Sequence, residues 1–329
     1  MVTTPKKPKI CVLFCGGTIM MSKDATTGSL DIAGGTQELL SLEPKLKEFY
    51  DIEIKFIDNI DSTNTKEYHW DKMIHTITEC YNKHDGFVIT HGTNTLGYTS
   101  SALSFALQGI GKPVVLTGAQ IPANQLETDA RRNFVNAIKV AAMDLAGVFV
   151  VFGSKIILGT RAKKVSEYDL DAFKTFNAQD VGEIGISIQL KGEHKKRHHN
   201  PFTAHPGFNP NILVITLEPG IRTEDMMTVL DTGVKGFVIR AYGAGDIPYT
   251  LLPWLEKANE MQIPVVVTTQ CPGGVTRMGV NDVGLQAKKM KVIQAFDMSM
   301  ESMTTKLKWL LHQKTSYEQL KAKMEENLA

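Results

Sequence analysis

Short apolar runs rich in β-branched residues recur along the first half of the chain, and longer amphipathic segments separate the later ones. The apolar runs cover residues 9–14, 52–57, 86–90, 113–118 and 148–152. Helical spacing of apolar side chains is found over residues 65–84, 95–110 and 128–145. Continuous apolar strands that alternate with helices are typical of parallel strands buried on both faces. The pattern therefore predicts a doubly wound α/β domain with a mostly parallel sheet flanked by helices.

A polar stretch rich in histidine and proline interrupts this pattern near residue 190. Apolar runs resume at residues 212–217, 236–241, 264–269 and 291–296, and amphipathic segments follow at 300–313 and 317–328. We predict a larger N-terminal α/β domain over residues 1–189, a linker over 190–211 and a smaller C-terminal α/β domain over 212–329. The length of 329 residues also favours two domains over one.

The balance of charges narrows the choice of partners. Lys and Arg together number 36 and Asp and Glu 35, so no global field attracts nucleic acid or a membrane. A basic run at residues 192–201 lacks interleaved aromatic side chains, which favours a solvated linker over a phosphate-binding patch. No apolar stretch approaches the roughly 20 residues that span a bilayer, and the N-terminus lacks a signal-peptide cleavage pattern. We therefore expect a cytoplasmic protein that binds neither nucleic acid nor membrane.

The four cysteines do not form a recognisable framework. Cys11, Cys15, Cys80 and Cys271 include no C-x-x-C pair, and two of them lie in apolar, strand-like runs. Reduced and mostly structural thiols are expected.

Six segments that follow predicted strands are rich in Gly, Thr, Ser, Asn and Asp. They read CGGTI, DSTNT, THGTNT, TGAQIP, YGAGD and TTQCPGG. Ligands bind beyond the carboxyl ends of the strands in open parallel sheets, so these segments predict a ligand site. Such residues are also common loop formers, and each segment alone would be weak evidence. The first segment lacks the third glycine of a dinucleotide fingerprint and the Gly-Lys-Ser/Thr of a phosphate-binding loop.

Three residues in these loops are candidates for chemistry, although each also has an ordinary structural interpretation. Thr18 follows two glycines, and its hydroxyl is a nucleophile only when a base removes its proton; a helix cap or turn residue is the commoner role. Thr93, Asn94 or Thr95 would also suit the cap of a helix that begins near residue 95. Lys164 would ordinarily be exposed, but burial among hydroxyl groups would lower its pKa.

Together these segments resemble the bacterial-type L-asparaginases. The resemblance rests on CGGTI, DST, HGTNTLGYTSSALSF, GKPVVLTGAQIP and GTRAKK, in this order. It extends into the second predicted domain through VITLEPGI, RAYGAGDIP, TTQC and TTKLKWLL, and so covers nearly the whole chain. The TTQC segment and the missing signal peptide make the chain most similar to the cytoplasmic, type I branch.

The resemblance implies hydrolysis of L-asparagine to L-aspartate and ammonia, with L-glutamine at most a weak substrate. Thr18 would attack the side-chain amide carbon and form an acyl-enzyme. Thr93 and Lys164 would form a second catalytic group that activates the nucleophile or the hydrolytic water. Backbone N–H groups near Thr18 and Thr93 would face the developing oxyanion. No metal or organic cofactor is implied.

The resemblance also implies binding residues and an oligomer. Asp61, Ser62 and Thr63 would line the pocket for the amino-acid head group. Asp246 and Glu301 match positions where a partner subunit of the family reaches into the site. A homo-oligomer is therefore expected, either a dimer or a dimer of dimers, which is a homotetramer.

The cytoplasmic branch also carries an allosteric effector site for asparagine in its second domain. Arg240, Thr269 and Cys271 match those positions. A small residue that faces the core after a strand is the alternative interpretation of Cys271.

The chain departs from the family pattern at two positions. Asn94 replaces the aspartate of a His-Gly-Thr-Asp-Thr motif, and Ser29 stands where a tyrosine is common. Asn94 is nearly isosteric with aspartate, so the fold should be retained. What is lost is a charge that, by the resemblance, would orient Lys164 and Thr93 and pair with the substrate ammonium. Removing one partner of a buried charged pair costs about 2–5 kcal/mol, roughly a thirtyfold to several-thousandfold loss of rate. Asp246, where the family more often has asparagine, is a candidate for compensation.

Three hypotheses follow. The first is an asparagine amidohydrolase whose activity is reduced by Asn94. The second is a natural or engineered form, disabled at Asn94, that still binds asparagine or aspartate. The third is the amidase subunit of a tRNA-dependent amidotransferase, which shares these motifs; it is disfavoured because the extra N-terminal domain of that subunit is not seen.

Overall fold

A computed structural model of the chain describes residues 6–17, 19, 21–23, 30–32 and 36–326. The chain forms two compact units that divide between Pro206 and Gly207. Each unit is an α/β layer structure built on its own sheet.

The strands of the first unit are β1 (Lys9–Gly16), β2 (Met21–Lys23), β3 (Leu30–Ile32), β4 (Asp51–Ile60), β5 (Gly86–Thr90), β6 (Pro113–Thr117), β7 (Gly147–Phe152), β8 (Lys155–Leu158), β9 (Ala162–Lys164), β10 (Phe173–Thr175), β11 (Gly182–Ile184) and β12 (Ile188–Leu190). Its helices are α1 (Thr36–Ser41), α2 (Leu46–Phe49), α3 (Glu67–Cys80), α4 (Leu96–Ala106) and α5 (Ala130–Ala141). The main sheet has the order β12-β11-β8-β7-β6-β5-β1-β4. Its five strands from β7 to β4 are mutually parallel. The other three pair antiparallel at one edge.

Both faces of this sheet are covered, as continuous apolar strands require. Ile10, Val12 and Phe14 of β1 pack in a core with Phe134 and Ile138 of α5. The alternate residues of β1 point to the opposite face, and they are equally buried. The predicted doubly wound, mostly parallel α/β fold is therefore confirmed.

The hairpin from β7 to β8 is a feature that the sequence pattern does not indicate. The polar pair Gly153 and Ser154 separates two apolar runs, and β8 returns antiparallel to β7. The GTRAKK segment therefore follows the antiparallel strand β8, and Lys164 ends the short strand β9. A break of two residues gives too little signal to separate a hairpin from one longer strand.

The basic segment after β12 has more structure than a solvated linker. Residues 191–211 contain no helix or strand. The Arg197 guanidinium nevertheless donates to the carbonyls of Ala141, Met143 and Asp85, with the first two at 2.8 and 2.6 Å. Carbonyls in the last turn of a helix lack partners within the helix, and a cation there is favourable. Arg197 thus holds this segment to the end of α5.

Arg197→Met is expected to lower the free energy of unfolding by about 2–4 kcal/mol, because three carbonyls lose a charged donor. Urea denaturation of the purified protein measures this change. Lys196→Met is the matched control, since Lys196 is exposed, and its effect should stay within about 0.5 kcal/mol. Equal effects of the two substitutions would contradict the assigned role.

The second unit contains β13 (Ile212–Thr216), α6 (Thr223–Leu230), β14 (Gly236–Ala241), α7 (Leu252–Glu260), β15 (Val265–Thr269), α8 (Asp282–Lys289), β16 (Ile293–Gln294), α9 (Met300–His312) and α10 (Tyr317–Glu325). Its four strands are parallel and lie in sequence order, β13-β14-β15-β16. The predicted strand at 291–296 shortens to two residues, because Lys291 and Phe296 both adopt left-handed backbone conformations. Phe237 and Trp254 are buried in its core.

Two further expectations concern the whole chain. Among the residues described above, no helix has the length and apolar character needed to cross a membrane. All four cysteines carry free thiols, and Cys271 alone of the four is exposed.

Candidate active site

The loops that follow β1, β4 and β5 touch one another at the carboxyl edge of the main sheet. Gly17 has a φ of +89°, and a Cβ there would lie 2.5 Å from the Gly92 nitrogen. A Cβ on Gly92 would lie 2.5 Å from the Ser62 hydroxyl oxygen. Real Cβ atoms do not approach so closely, so glycine is required at both positions. The polar loops that follow β1, β4 and β5 therefore pack against one another at this edge of the sheet, as the sequence predicts.

The loop after β4 is a 3-10 turn at Ser62–Asn64 that Asp61 caps. The Asp61 carboxylate accepts a hydrogen bond of 2.7 Å from the Thr63 N–H. Ser62 is buried against Gly92, and Thr63 is exposed. The three predicted head-group residues thus form one turn beside the Thr93 loop. Asp61 and Thr63 offer polar atoms to a ligand more readily than Ser62 does.

The loop after β5 is a second 3-10 turn, Thr93–Thr95, that leads into α4. Thr93 is buried, and its hydroxyl lies 2.8 Å from the Lys164 ammonium. Thr95 donates to the Ser62 carbonyl at 2.8 Å and so ties the two turns together. Among the described residues, no side chain caps α4. Thr93 and Thr95, which the sequence offered as caps, make the contacts with Lys164 and Ser62 instead.

Asn94 bridges the two turns through both ends of its amide. Its Oδ1 accepts from Lys164 Nζ at 3.0 Å, and its Nδ2 donates to Thr63 Oγ1 at 3.0 Å. The orientation of the amide follows from chemistry, because an ammonium donates only and must face the oxygen. Asn94 is exposed in this chain. Water would partly screen a carboxylate at this position. The free-energy cost of lacking that charge is therefore smaller than it would be for a fully buried pair.

Lys164 is placed to exchange a proton with Thr93. Partial burial lowers the pKa of its ammonium, while Glu167 and Asp61 oppose that shift. A lowered pKa brings the neutral amine, which can accept a proton, closer to physiological pH. The pair has the geometry and the direction of pKa shift that general acid–base chemistry uses.

Behind this loop lies a buried chain of hydrogen bonds that sequence reasoning did not identify. His91 Nδ1 lies 2.8 Å from the Gly92 carbonyl, which can only accept, so Nδ1 carries the proton. Nε2 then accepts from the Thr99 hydroxyl at 3.0 Å, and Trp70 donates to Thr99 at 3.0 Å. The chain fixes the carbonyl of the residue before Thr93. The position of His91 in the THGTNT segment was a usable signal; nothing in the pattern pointed to Trp70.

Burial lowers the pKa of His91 to about 4, with the Gly92 bond opposing the shift and His69 adding to it. Because the ordinary pKa is higher, the unfolded chain binds a proton in a range where the folded chain does not. The stabilisation from neutral His91 is complete above about pH 6.5 and is lost as the pH falls to about 4. This change amounts to about 3 kcal/mol.

We expect the wild type to have a larger free energy of unfolding than His91→Gln at pH 7. This difference should shrink by about 3 kcal/mol when the pH is lowered from 7 to 4. Chemical denaturation at each pH measures the gap between the two proteins. His75→Gln removes an exposed histidine from α3 and serves as the control. A gap that stays constant with pH would rule out the proposed burial of a neutral His91.

The predicted nucleophile, Thr18, lies outside the described residues, and so does Ser29. Gly17, which precedes Thr18 in the chain, is the residue that contacts Gly92. The role of Thr18 stays a prediction.

The remaining candidates belong to the second unit. Asp246 accepts from Asn281 Nδ2 at 2.9 Å, and Glu301 lies in the first turn of α9. Oε2 of Glu301 is buried and has no hydrogen-bond partner among the described residues. These placements neither bring Asp246 and Glu301 together nor assign a function to either.

The predicted effector residues lie at the carboxyl ends of neighbouring strands. Arg240 is on β14, and Thr269 ends the adjacent strand β15. The Thr269 hydroxyl accepts from the Cys271 N–H at 3.0 Å. Nε of Arg240 is buried without a hydrogen-bond partner in the described part of the chain. Cys271 is exposed, which argues against its alternative interpretation as a core residue.

Comparison with known proteins gives matches over both units. The family described as Asparaginase, N-terminal, matches residues 9–196, and the Glutaminase/Asparaginase C-terminal domain matches residues 211–324. An L-asparaginase of Thermococcus kodakarensis is 36% identical over 98% of each chain. A glutamyl-tRNA(Gln) amidotransferase subunit from Pyrococcus abyssi is 32% identical over 99% of this chain and 77% of its own length. The crystal structure of L-asparaginase I from Vibrio cholerae superimposes with a TM-score of 0.89 at 34% identity, over 98% of each chain.

Proposed function

Because this chain belongs to the asparaginase family, we propose that it hydrolyses the side-chain amide of L-asparagine to give L-aspartate and ammonia. The relatives that are named L-asparaginases match it over nearly their whole length. The single observation that carries the proposal is the contact of 2.8 Å between Lys164 and Thr93, at the edge where the loops meet.

The proposed reaction has two steps. The Thr18 oxygen forms a bond to the amide carbon, the C–N bond breaks, and the amide nitrogen leaves as ammonia after gaining a proton. Water then attacks the acyl-enzyme, which releases aspartate and returns a proton to Thr18. Lys164 and Thr93 would accept and return the proton in these steps. Backbone N–H groups beside Thr18 and Thr93 would stabilise the oxyanion.

Asn94 is the feature that separates a slow enzyme from a binding protein. Its oxygen still accepts from Lys164, so the contact that holds the lysine survives without the charge. We therefore favour an active enzyme of reduced turnover over a disabled form that only binds asparagine or aspartate. L-Glutamine would be a weaker substrate, and Asp61, Ser62 and Thr63 would surround the head group.

The assembly and its regulation complete the proposal. Asp246 and Glu301 would complete the site of a neighbouring subunit in a cytoplasmic dimer or dimer of dimers. Oε2 of Glu301 is buried without a hydrogen-bond partner in the described part of the chain, which supports a contact with a group outside that part, such as one on a neighbouring subunit. Arg240, Thr269 and Cys271 would bind asparagine as an effector.

A second candidate rests on the amidotransferase subunit that matches 99% of this chain. In that case ammonia release would depend on a partner protein and on a charged tRNA. The purified chain alone would then release no ammonia from asparagine.

The test is ammonia release from L-asparagine by the purified chain, with thermal unfolding measured in parallel. An active enzyme releases ammonia at a rate proportional to its concentration. A disabled form releases none but is stabilised by asparagine or aspartate, because a ligand that binds only the folded state raises its stability. If asparagine causes no ammonia release and no thermal stabilisation, the assignment of asparagine as the ligand is wrong.

A further inference from the structure

A cluster of metal-ligand side chains lies apart from the candidate active site. One ligand atom each from Cys11, Cys80 and His84 fall within 4.8 Å of one another, and all three residues are buried. The Cys11 and Cys80 thiols lie close enough to interact, and Cys80 contributes to the raised pKa of Cys11. Oε2 of Glu53 lies 2.9 Å from His84 Nε2 but not within 4.8 Å of all three ligand atoms, and it is a potential fourth ligand.

The backbone explains why these four residues meet. Cys11 on β1 and Glu53 on β4 are direct partners in the parallel register, so their side chains leave the same face of the sheet. Cys80 is the last residue of α3, and His84 follows one 3-10 turn later, just before β5. The cluster therefore lies at the amino end of β5, and the candidate active site follows the carboxyl end of the same strand.

His84 is held in an orientation that suits metal binding. Its Nδ1 lies 3.1 Å from the Cys80 carbonyl, which accepts only, so Nδ1 carries the proton. Nε2 faces the Glu53 carboxylate, which only accepts, so a metal ion bound here would take the place of the proton on Nε2. Histidines that bind metals nearly always donate their other N–H to a carbonyl or carboxylate in this manner.

The charges around the cluster balance for a divalent ion. Two thiolates and the Glu53 carboxylate would contribute three negative charges, against two positive charges from the metal. Lys55 pairs with Glu53 and supplies the third positive charge. Cys11, Cys80 and His84 are buried, whereas the side chains of Glu53 and Lys55 lie at the solvent side and are 46% and 42% exposed. A site without net charge avoids most of the desolvation cost that an unbalanced buried ion would carry.

We propose that Cys11, Cys80, His84 and Glu53 form a structural zinc site that joins β1, β4 and the end of α3. Two sulfurs, one imidazole and one carboxylate are a donor set that favours zinc over magnesium or calcium. Tetrahedral zinc places two thiolates roughly 3.8 Å apart. The sulfurs now lie within 4.8 Å of each other, so zinc binding would require the side chains to rotate into that geometry. Four protein ligands leave no open position, which fits a structural site and not a catalytic one.

The experiment measures metal content and coordination, not ammonia release. The full chain is incubated with zinc sulfate, passed through gel filtration and assayed for zinc by elemental analysis; cobalt(II) replaces zinc in a parallel sample. We expect one zinc per chain, and for cobalt the visible absorption of a tetrahedral site together with thiolate-to-cobalt charge transfer. Cys80→Ser and His84→Gln should lose both signals.

Two further variants keep the outcome clear if a buried substitution impairs folding. Glu53→Gln changes a partly exposed side chain of the same size, and it should weaken zinc binding at least about tenfold. Cys15→Ser, on the same strand but outside the cluster, should bind zinc like the wild type. The proposal is overturned if the wild type takes up no stoichiometric zinc, or if Glu53→Gln and Cys80→Ser bind it with unchanged affinity. Equal loss of zinc by Cys15→Ser and Cys80→Ser would also overturn it.

Discussion

Replacing Lys164 by methionine is expected to lower the turnover of ammonia release by about a hundredfold to ten-thousandfold, the usual range for loss of a general acid–base group. The reason is local. Lys164 Nζ is the donor within 2.8 Å of the Thr93 hydroxyl, and partial burial lowers its pKa. No other side chain donates a hydrogen bond to that hydroxyl among the residues that the structure describes. Steady-state kinetics with L-asparagine should show the loss in kcat, with a smaller change in KM.

Lys164→Arg separates proton transfer from simple positive charge. Arginine keeps the charge and the donors but does not lose its proton at accessible pH. We expect it to be nearly as inactive as Lys164→Met, with an unchanged melting temperature. Lys174→Met, an exposed lysine on the adjacent strand β10, is the control and should retain full turnover. If Lys164→Arg keeps wild-type kcat, Lys164 acts only through its charge and the proton-transfer role is wrong.

Asn94→Asp is expected to raise turnover roughly tenfold to a hundredfold. A hydrogen bond to a charged group contributes about 1.5–3 kcal/mol, which corresponds to that range of rate. Because Asn94 is exposed, the expected gain in turnover is smaller than it would be for a fully buried pair. An aspartate would accept from both Lys164 and Thr63, so the Thr63 hydroxyl must turn from acceptor to donor. The side chains need no larger movement, since the two amino acids have the same shape.

The same substitution should move the pH profile. A carboxylate beside Lys164 favours the charged ammonium and raises its pKa, so the part of the pH profile that is governed by the loss of the Lys164 proton shifts to higher pH. Asn64→Asp adds the same charge in the neighbouring Ser62–Asn64 turn, on an exposed residue, and controls for general electrostatics. Equal turnover of the wild type and Asn94→Asp would show that position 94 needs no charge in this protein. The reduced-activity account of Asn94 would then fail.

The zinc proposal is independent of these kinetic results. Its ligands lie before β5, and the Thr93 turn follows that strand. Five strand residues at about 3.3 Å each separate the two places along the chain. An inactive protein that binds zinc would therefore contradict only the proposed function. An active protein that binds no zinc would contradict only the zinc site.

Several features of this protein could be predicted from local sequence. The buried strands β1, β5 and β6 are short runs of apolar, β-branched residues, and such runs have few alternatives once helices flank them. The loops that follow those strands could be identified for the same reason, because parallel strands place all their carboxyl ends on one edge. Thr93 and Lys164 were chosen from the resemblance to a family, and the structure brings them within hydrogen-bonding distance.

Other features depended on the tertiary structure. The two-residue turn before β8, the clamp by Arg197 and the shortening of β16 arise from pairings and backbone conformations that no local pattern encodes. The His91, Thr99 and Trp70 chain joins residues up to 29 positions apart. The exposure of Asn94, which sets the expected cost of its missing charge, is likewise a property of the folded surface. Sequence determined the fold class and the edge that carries the chemistry, since both follow from local periodicity. Distances, burial and hydrogen-bond partners were decided by tertiary packing, because they depend on which distant segments come together.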